Sequence, residues 1–122
     1  MYSWGCNEDR RLGRRAEDGT REANLPGLVQ VNGTAITATS VSAGTEHSCV
    51  ITTERELLTF GSNSSYQLGR ERAPGQLFED EPSSVDEVSS RQTHADAVHC
   101  GENHTIVIVH QVSARDLGPT WD

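Results

Sequence analysis

The sequence predicts an all-β fold assembled from tandem copies of one unit. Three observations predict it. First, Trp4-Gly5-Cys6-Asn7 with Leu12-Gly13-Arg14 reappears, at an offset of 56, as Phe60-Gly61-Ser62-Asn63 with Leu68-Gly69-Arg70. At that offset Pro26 also falls on Pro82 and Val29 on Val85. Second, the block Val41–Ser48 reappears, at an offset of 57, as Val98–Thr105, matching a Val, a Gly, a His and a hydroxyl residue. The small difference between the offsets places an insertion between Val85 and Val98. Nearly equal spacing in separate blocks is the mark of a repeat architecture. Third, the apolar residues sit in short β-branched runs bounded by turn residues, with almost no helical periodicity.

Taken in order, Met1–Trp4 reads as a strand ending at Gly5, the counterpart of Leu57–Phe60 ending at Gly61. Thr39–Ala43 is a short strand stopped by Gly44. Ser48–Thr52 is a compact apolar run, joined to Leu57 by the polar link Thr53-Glu54-Arg55-Glu56. Thr105–Val109 is the strongest strand, and its unbroken β-branched character predicts burial on both faces. Arg15–Leu25 and Glu71–Glu81, matched in length and charged, read as solvated surface loops. The acidic triplet Glu79-Asp80-Glu81 belongs to the second of them. On these markers residues 1–14 end a preceding unit, 15–70 form a complete one, and 71–122 form a following, incomplete one.

The chain has 122 residues, 34% of them hydrophobic, which allows one domain with a lean core. No run approaches the roughly 20 apolar residues of a membrane-spanning helix, so a helical membrane protein is excluded. The start, Met1–Cys6, has neither the basic nor the apolar stretch of a secretory signal. The net charge of -8 disfavours contact with phosphate backbones, so no direct nucleic-acid partner is expected for this segment, and no membrane. Cys6, Cys49 and Cys100 are far apart, odd in number and form no CxxC, which fits a reducing compartment, nuclear or cytoplasmic. In such a compartment the Asn-x-Ser/Thr triplets at Asn32, Asn63 and Asn103 read as turn sequences rather than glycan acceptors.

The aromatic-Gly-x-Asn block closed by Leu-Gly, the Pro about a dozen residues on, and the Val-x-Ala-Gly-x-x-His-Ser block together resemble the repeat of the regulator of chromosome condensation family. The resemblance spans nearly the whole chain, with Leu117-Gly118 opening a third copy at an offset of 57 from Phe60-Gly61. It implies an incomplete β-propeller, about two blades of a seven-bladed ring, because a full ring of this period needs roughly 390 residues. The chain is therefore expected to be a fragment of a longer product. Tyr2–Asp9 with Leu12-Gly13-Arg14 is most similar to the family's exchange factors for the small GTPase Ran. The resemblance also implies that His47 and His104 are buried and staple their turns to backbone, and that Ala43 and Cys100 lie on crowded inner strands. Arg10 and Tyr66 stand where the family places glycine, and Glu54-Arg55-Glu56 where it places an Asp-Gly hairpin. If those positions need positive φ, each costs on the order of 1 kcal/mol. The loop Ser62–Ser65 lacks the acidic residue that the exchange factors carry in a corner of this kind.

Propellers bind partners through loops on one face. The candidate partner-binding residues are Asn7, Glu8, Asp9, Arg10 and Arg11 in the first corner. Their counterparts in the second are Ser62, Asn63, Ser64, Ser65 and Tyr66. Asn and Ser also serve ordinary turns. Glu8 and Asp9 are expected to meet basic surface on a GTPase. His47, His99, Cys100 and His104 match no zinc spacing, so no metal is expected. No nucleophile motif and no phosphate-cradling loop is present, so no cofactor and no enzymatic activity of its own are expected. The reading is a propeller-repeat binding module, a fragment of a guanine-nucleotide exchange factor for Ran or a relative. The alternative is a propeller scaffold for protein–protein interaction in a ubiquitin ligase or kinase-linked protein.

Overall fold

A computed structural model of the chain describes residues 1–14, 22–71, 74–88 and 93–112. Strands β1 (Tyr2–Cys6) and β2 (Glu22–Leu28) pair antiparallel. A hairpin follows, from β3 (Gln30–Val31) and β4 (Thr34–Ala35). Four strands, β5 (Ala38–Ala43), β6 (His47–Thr52), β7 (Leu57–Ser62) and β8 (Phe78–Ser84), form one antiparallel sheet in chain order. The last pair is β9 (Thr93–Cys100) with β10 (Thr105–Gln111). The single helical element among the described residues is a 3₁₀ turn at Asp86–Val88.

The repeat explains this order. At an offset of 56, β1 and β2 map onto β7 and β8; at 57, β9 and β10 map onto β5 and β6. The structure is thus the outer half of one blade, a whole blade, and the inner half of a third. The sheets cross the unit boundaries drawn after residues 14 and 70. β2 completes the first pair, and β8 closes the central sheet, each on the far side of its boundary. The two charged segments are correspondingly shorter as loops than their composition predicts, since residues 22–25 and 78–81 are strand. Residues 15–21 and Leu117-Gly118 lie outside the described residues. β2 and β8 are outermost in their sheets and carry Pro26 and Pro82, a position that tolerates a residue with no N–H to give. Polar edge strands of this kind carry little alternation, which is why they read as loops.

The core lies between the sheets. Cys49, Ile51 and Leu57 of the central sheet pack with Val85 and with Ala95 and Cys100 of β9. On the other face Val50, Leu58 and Phe60 pack with Val29 and Ile36. Successive residues of a strand point to opposite faces, so β6 and β7 are buried on both. β10 is not, contrary to expectation. Its Val107 packs inward, but Ile106 and Ile108 are 59% and 62% exposed, while their counterparts Cys49 and Ile51 are 0% and 1%. A β-branched run records tolerance of burial; whether a second layer covers it depends on a neighbouring sheet, and none among the described residues covers this face of β10.

Turn geometry follows the residues closely. Asn32-Gly33, with φ of 51° and 79°, makes the two-residue connection between β3 and β4, so the Asn32 triplet is hairpin chemistry. Arg10, Tyr66 and Arg55 have φ of 61°, 59° and 67°, so all three non-glycine replacements sit where the left-handed region is required. Arg55 is exposed, and its guanidinium reaches Asp96 only across 3.6 Å at the surface. Arg55→Gly is therefore expected to stabilise the fold by about 0.5–1 kcal/mol: relief of backbone strain exceeds the loss of a weak ion pair and the added freedom of the unfolded chain. Urea unfolding of the two proteins measures it. A lower midpoint for the glycine variant would show that the surface contacts of Arg55 outweigh the strain.

Candidate functional site

The two corner loops are built by the same hydrogen bonds. In each, an Asn side chain spans the turn. Asn7 Nδ2 donates to Arg14 O at 2.9 Å while its Oδ1 accepts from Leu12 N at 3.1 Å. Asn63 repeats this with Arg70 O at 3.0 Å and Leu68 N at 3.1 Å. A hydroxyl on the preceding strand closes the loop's far side: Ser3 Oγ donates to Leu12 O at 2.7 Å and Thr59 Oγ1 to Leu68 O at 2.9 Å. An Arg then clamps that strand, Arg14 Nη2 on Ser3 O at 2.7 Å and Arg70 Nη2 on Thr59 O at 2.8 Å. Burial pulls the Arg70 guanidinium pKa down, against the opposing charges of Glu79 and Asp86.

This frame sorts the candidate residues. Asn7 and Asn63 act within the loop, Asn63 in full burial. Ser62 is also buried, its Oγ 3.0 Å from Ser64 Oγ. The Asp9 carboxylate is held by Arg11 in an ion pair. Glu8 and Arg10 in the first corner, and Ser64, Ser65 and Tyr66 in the second, present exposed side chains. Each corner thus has a hydrogen-bonded internal frame under an exposed rim.

Each corner also grips the next sheet. Ser48 Oγ donates to Arg11 O at 2.8 Å, and its counterpart Thr105 Oγ1 donates to Gln67 O at 2.7 Å. Thr105 is thereby placed beside His47, whose Nε2 lies 2.8 Å from the same hydroxyl. Since Thr105 gives its only proton to Gln67, His47 Nε2 must be the donor in that contact. His47 is fully buried, as expected, but bonds a side chain of the next sheet through Nε2 and leaves Nδ1 without a partner among the described residues. His104 departs further and is exposed. Its turn closes like the first, with Gly101 N on His104 O at 2.8 Å against Gly44 N on His47 O at 2.7 Å. What differs is the absence of a following described sheet to supply a hydroxyl.

The structure also assembles a group that spacing does not reveal. His47, Cys49 and Cys100 are all buried, with their ligand atoms within 4.8 Å of one another. Cys49 Sγ and Cys100 Sγ are 2.7 Å apart, one on β6 and the other on β9 of the next sheet. The hydrogen-bonded contact with Cys49 lowers the Cys100 thiol to about 5; burial opposes this and His47 reinforces it. The same contact, with burial, pushes Cys49 up. The sequence separates these residues by 51 positions. The only signal that could have joined them is the repeat itself, which puts β6 of one unit against β9 of the next. His99, grouped with this set by sequence, is exposed on the far side of its strand.

The profile of the regulator of chromosome condensation (RCC1) repeat matches residues 1–51 and 56–108, and a second profile of the same description matches residues 38–67. The chain belongs to the RCC1 repeat family. RCC1 repeats form β-propellers, and the half, whole and half blades described above are a segment of one. The chain is 28% identical over 125 residues to the human probable E3 ubiquitin-protein ligase HERC6, an alignment covering 98% of this chain and 11% of that protein. Prp20p from Saccharomyces cerevisiae, studied for its binding to Gsp1p and histones, superposes with a TM-score of 0.75 at 19% identity, over 95% of this chain and 28% of that one. Human WBSCR16 superposes with a TM-score of 0.70 at 20% identity, over 88% of this chain and 31% of that one. The chain thus spans about a tenth of the length of the ligase it matches and under a third of these solved chains.

Proposed function

We propose that this chain is a protein-binding segment of an RCC1 propeller whose partner docks on the exposed rims of the two corner loops. The observation that carries this is the duplicated hydrogen-bonded frame, which fixes residues 7–14 and 63–70 from inside and leaves Glu8, Arg10, Ser64, Ser65 and Tyr66 facing outward. Binding energy at such a rim comes mainly from a few anchors, and aromatic and Arg side chains supply most of them. Tyr66 and Arg10 occupy equivalent positions in the two corners and are such anchors. The 28% identity to a ubiquitin ligase along 98% of the chain favours a scaffold that holds a protein near a catalytic domain encoded elsewhere. The similarity to Prp20p favours a second reading, exchange on a Ran-type GTPase in the nucleus. Against exchange by this segment stand the missing acid in Ser62–Ser65 and the pairing of Asp9 with Arg11.

Purified Ran loaded with a fluorescent guanine nucleotide separates the readings. The chain is expected to leave nucleotide release at its background rate. Release accelerated at least tenfold, and returned to background by Glu8→Ala with Asp9→Ala, would replace the scaffold reading with exchange and place it in those carboxylates.

A further inference from the structure

We propose that Cys49 and Cys100 form an oxidisable pair whose disulfide covalently ties one propeller blade to the next. The two sulfurs sit 2.7 Å apart in the packed interface between β6 and β9. That is well inside the contact distance of unbonded heavy atoms and needs only a small closure to reach the bonded distance of about 2.05 Å. Neither thiol is demanded by the repeat. The counterpart of Cys49 in the other copy is Ile106, and that of Cys100 is Ala43. Two independent positions therefore carry a sulfur only where the blades bring them together.

The surroundings suit the chemistry. Cys100 N donates to Ser42 Oγ at 2.9 Å, and its Sγ lies 3.3 Å from Ser42 O, so the residue is held in place on the inner strand. One ring nitrogen of His47 lies within 4.8 Å of both sulfurs, and its Nδ1 is buried with no hydrogen-bond partner among the described residues, so the imidazole can take up a thiol proton. The lowered Cys100 thiol supplies the thiolate that attacks an oxidant, and Cys49 stands adjacent as the resolving thiol. With a hydroperoxide, the Cys100 thiolate attacks one peroxide oxygen; the S–O bond forms and the O–O bond breaks. The departing hydroxide takes up the proton that Cys100 had released. Cys49 sulfur then attacks Cys100 sulfur, the S–S bond forms, the S–O bond breaks, and water leaves with the Cys49 proton. Two thiols lose two electrons and one hydrogen peroxide becomes two waters. Zinc fits less well, because two thiolates on one tetrahedral zinc stand about 3.7 Å apart and only His47 completes the set.

The test uses the full chain treated with hydrogen peroxide or left in dithiothreitol, then alkylated under denaturing conditions and digested. The expected result is a fall from three alkylatable cysteines to one, a peptide linking Cys49 to Cys100, and a melting temperature raised by about 10 °C that dithiothreitol reverses. Cys6→Ser is expected to keep the cross-link, and Cys49→Ala or Cys100→Ala to abolish it. Oxidation of Cys100 to sulfinic acid without a linked peptide would overturn the proposal, as would a cross-link through Cys6. Stoichiometric zinc that shields both thiols from alkylation would overturn it in favour of a metal site. The unmodified chain carries the decisive measurement, so a variant that fails to fold does not remove it.

Discussion

Phe60→Ala is expected to remove about 3–5 kcal/mol of stability, while Trp4→Ala, the same position one copy earlier, removes less than about 1 kcal/mol. Phe60 is 2% exposed and packs with Val29, Ile36, Val50 and Leu58. Its ring lies on Gly13, so closely that a Cβ there would come within 2.9 Å of it. Truncation leaves a cavity walled by strands that cannot collapse into it. Trp4 is 60% exposed, because no described sheet covers the face it occupies. Urea unfolding of the two variants beside the parent chain gives both numbers. Equal losses would mean that the repeat, rather than the neighbouring sheet, sets the energetic weight of the aromatic.

Gly61→Ala is expected to cost at least about 4 kcal/mol, and Gly5→Ala about 1–2 kcal/mol. Both glycines sit at the irregular point of their strand pairing, with φ of 108° and 110°. The backbone strain is therefore shared. The space is not: a Cβ on Gly61 falls 2.6 Å from Glu46 O and 2.8 Å from His47 Cα, whereas one on Gly5 meets nothing within 4 Å. Since the obstructing atoms are backbone, the strand start at His47 must move, and with it the corner contact through Ser62 N and Glu46 O. Loss of cooperative unfolding in Gly61→Ala together with a modest shift in Gly5→Ala is the expected pattern. A mild effect at Gly61 would show that β6 and β7 separate more easily than their pairing implies.

What the sequence disclosed and what it hid divide along a physical line. Glycines, the corner Asn residues and the short apolar runs of β5, β6 and β7 answer to local backbone geometry and side-chain alternation, so their spacing reported the repeat and the strands. Positive φ at Arg10, Arg55 and Tyr66 was legible only through the resemblance, which places glycine or an Asp-Gly hairpin there. Contacts between blades were not. The meeting of Cys49 with Cys100 and the exposure of Ile106 and His104 all depend on which sheet lies alongside, a matter of packing between segments nearly a full unit apart in the chain. The exchange of Thr105 for a backbone carbonyl as the partner of His47 is of the same kind. The corner residues occupied a middle ground. Their composition marked a loop, but only the hydrogen bonds distinguish Asn63, which builds the loop, from Tyr66, which faces out of it.

The central sheet is knitted from two consecutive copies of the repeated unit, with β1–β2 waiting on one side and β9–β10 on the other. A gene that duplicates one such unit in tandem therefore adds a whole blade without orphaning a strand, since the newcomer lends its first strands backward and its last strands forward. Had unit and sheet coincided, every copy would be a separable bead, joined to its neighbours by side chains alone. The staggered arrangement instead lets a lineage lengthen by simple copying while each new junction is laced by main-chain hydrogen bonds from the generation in which it arises.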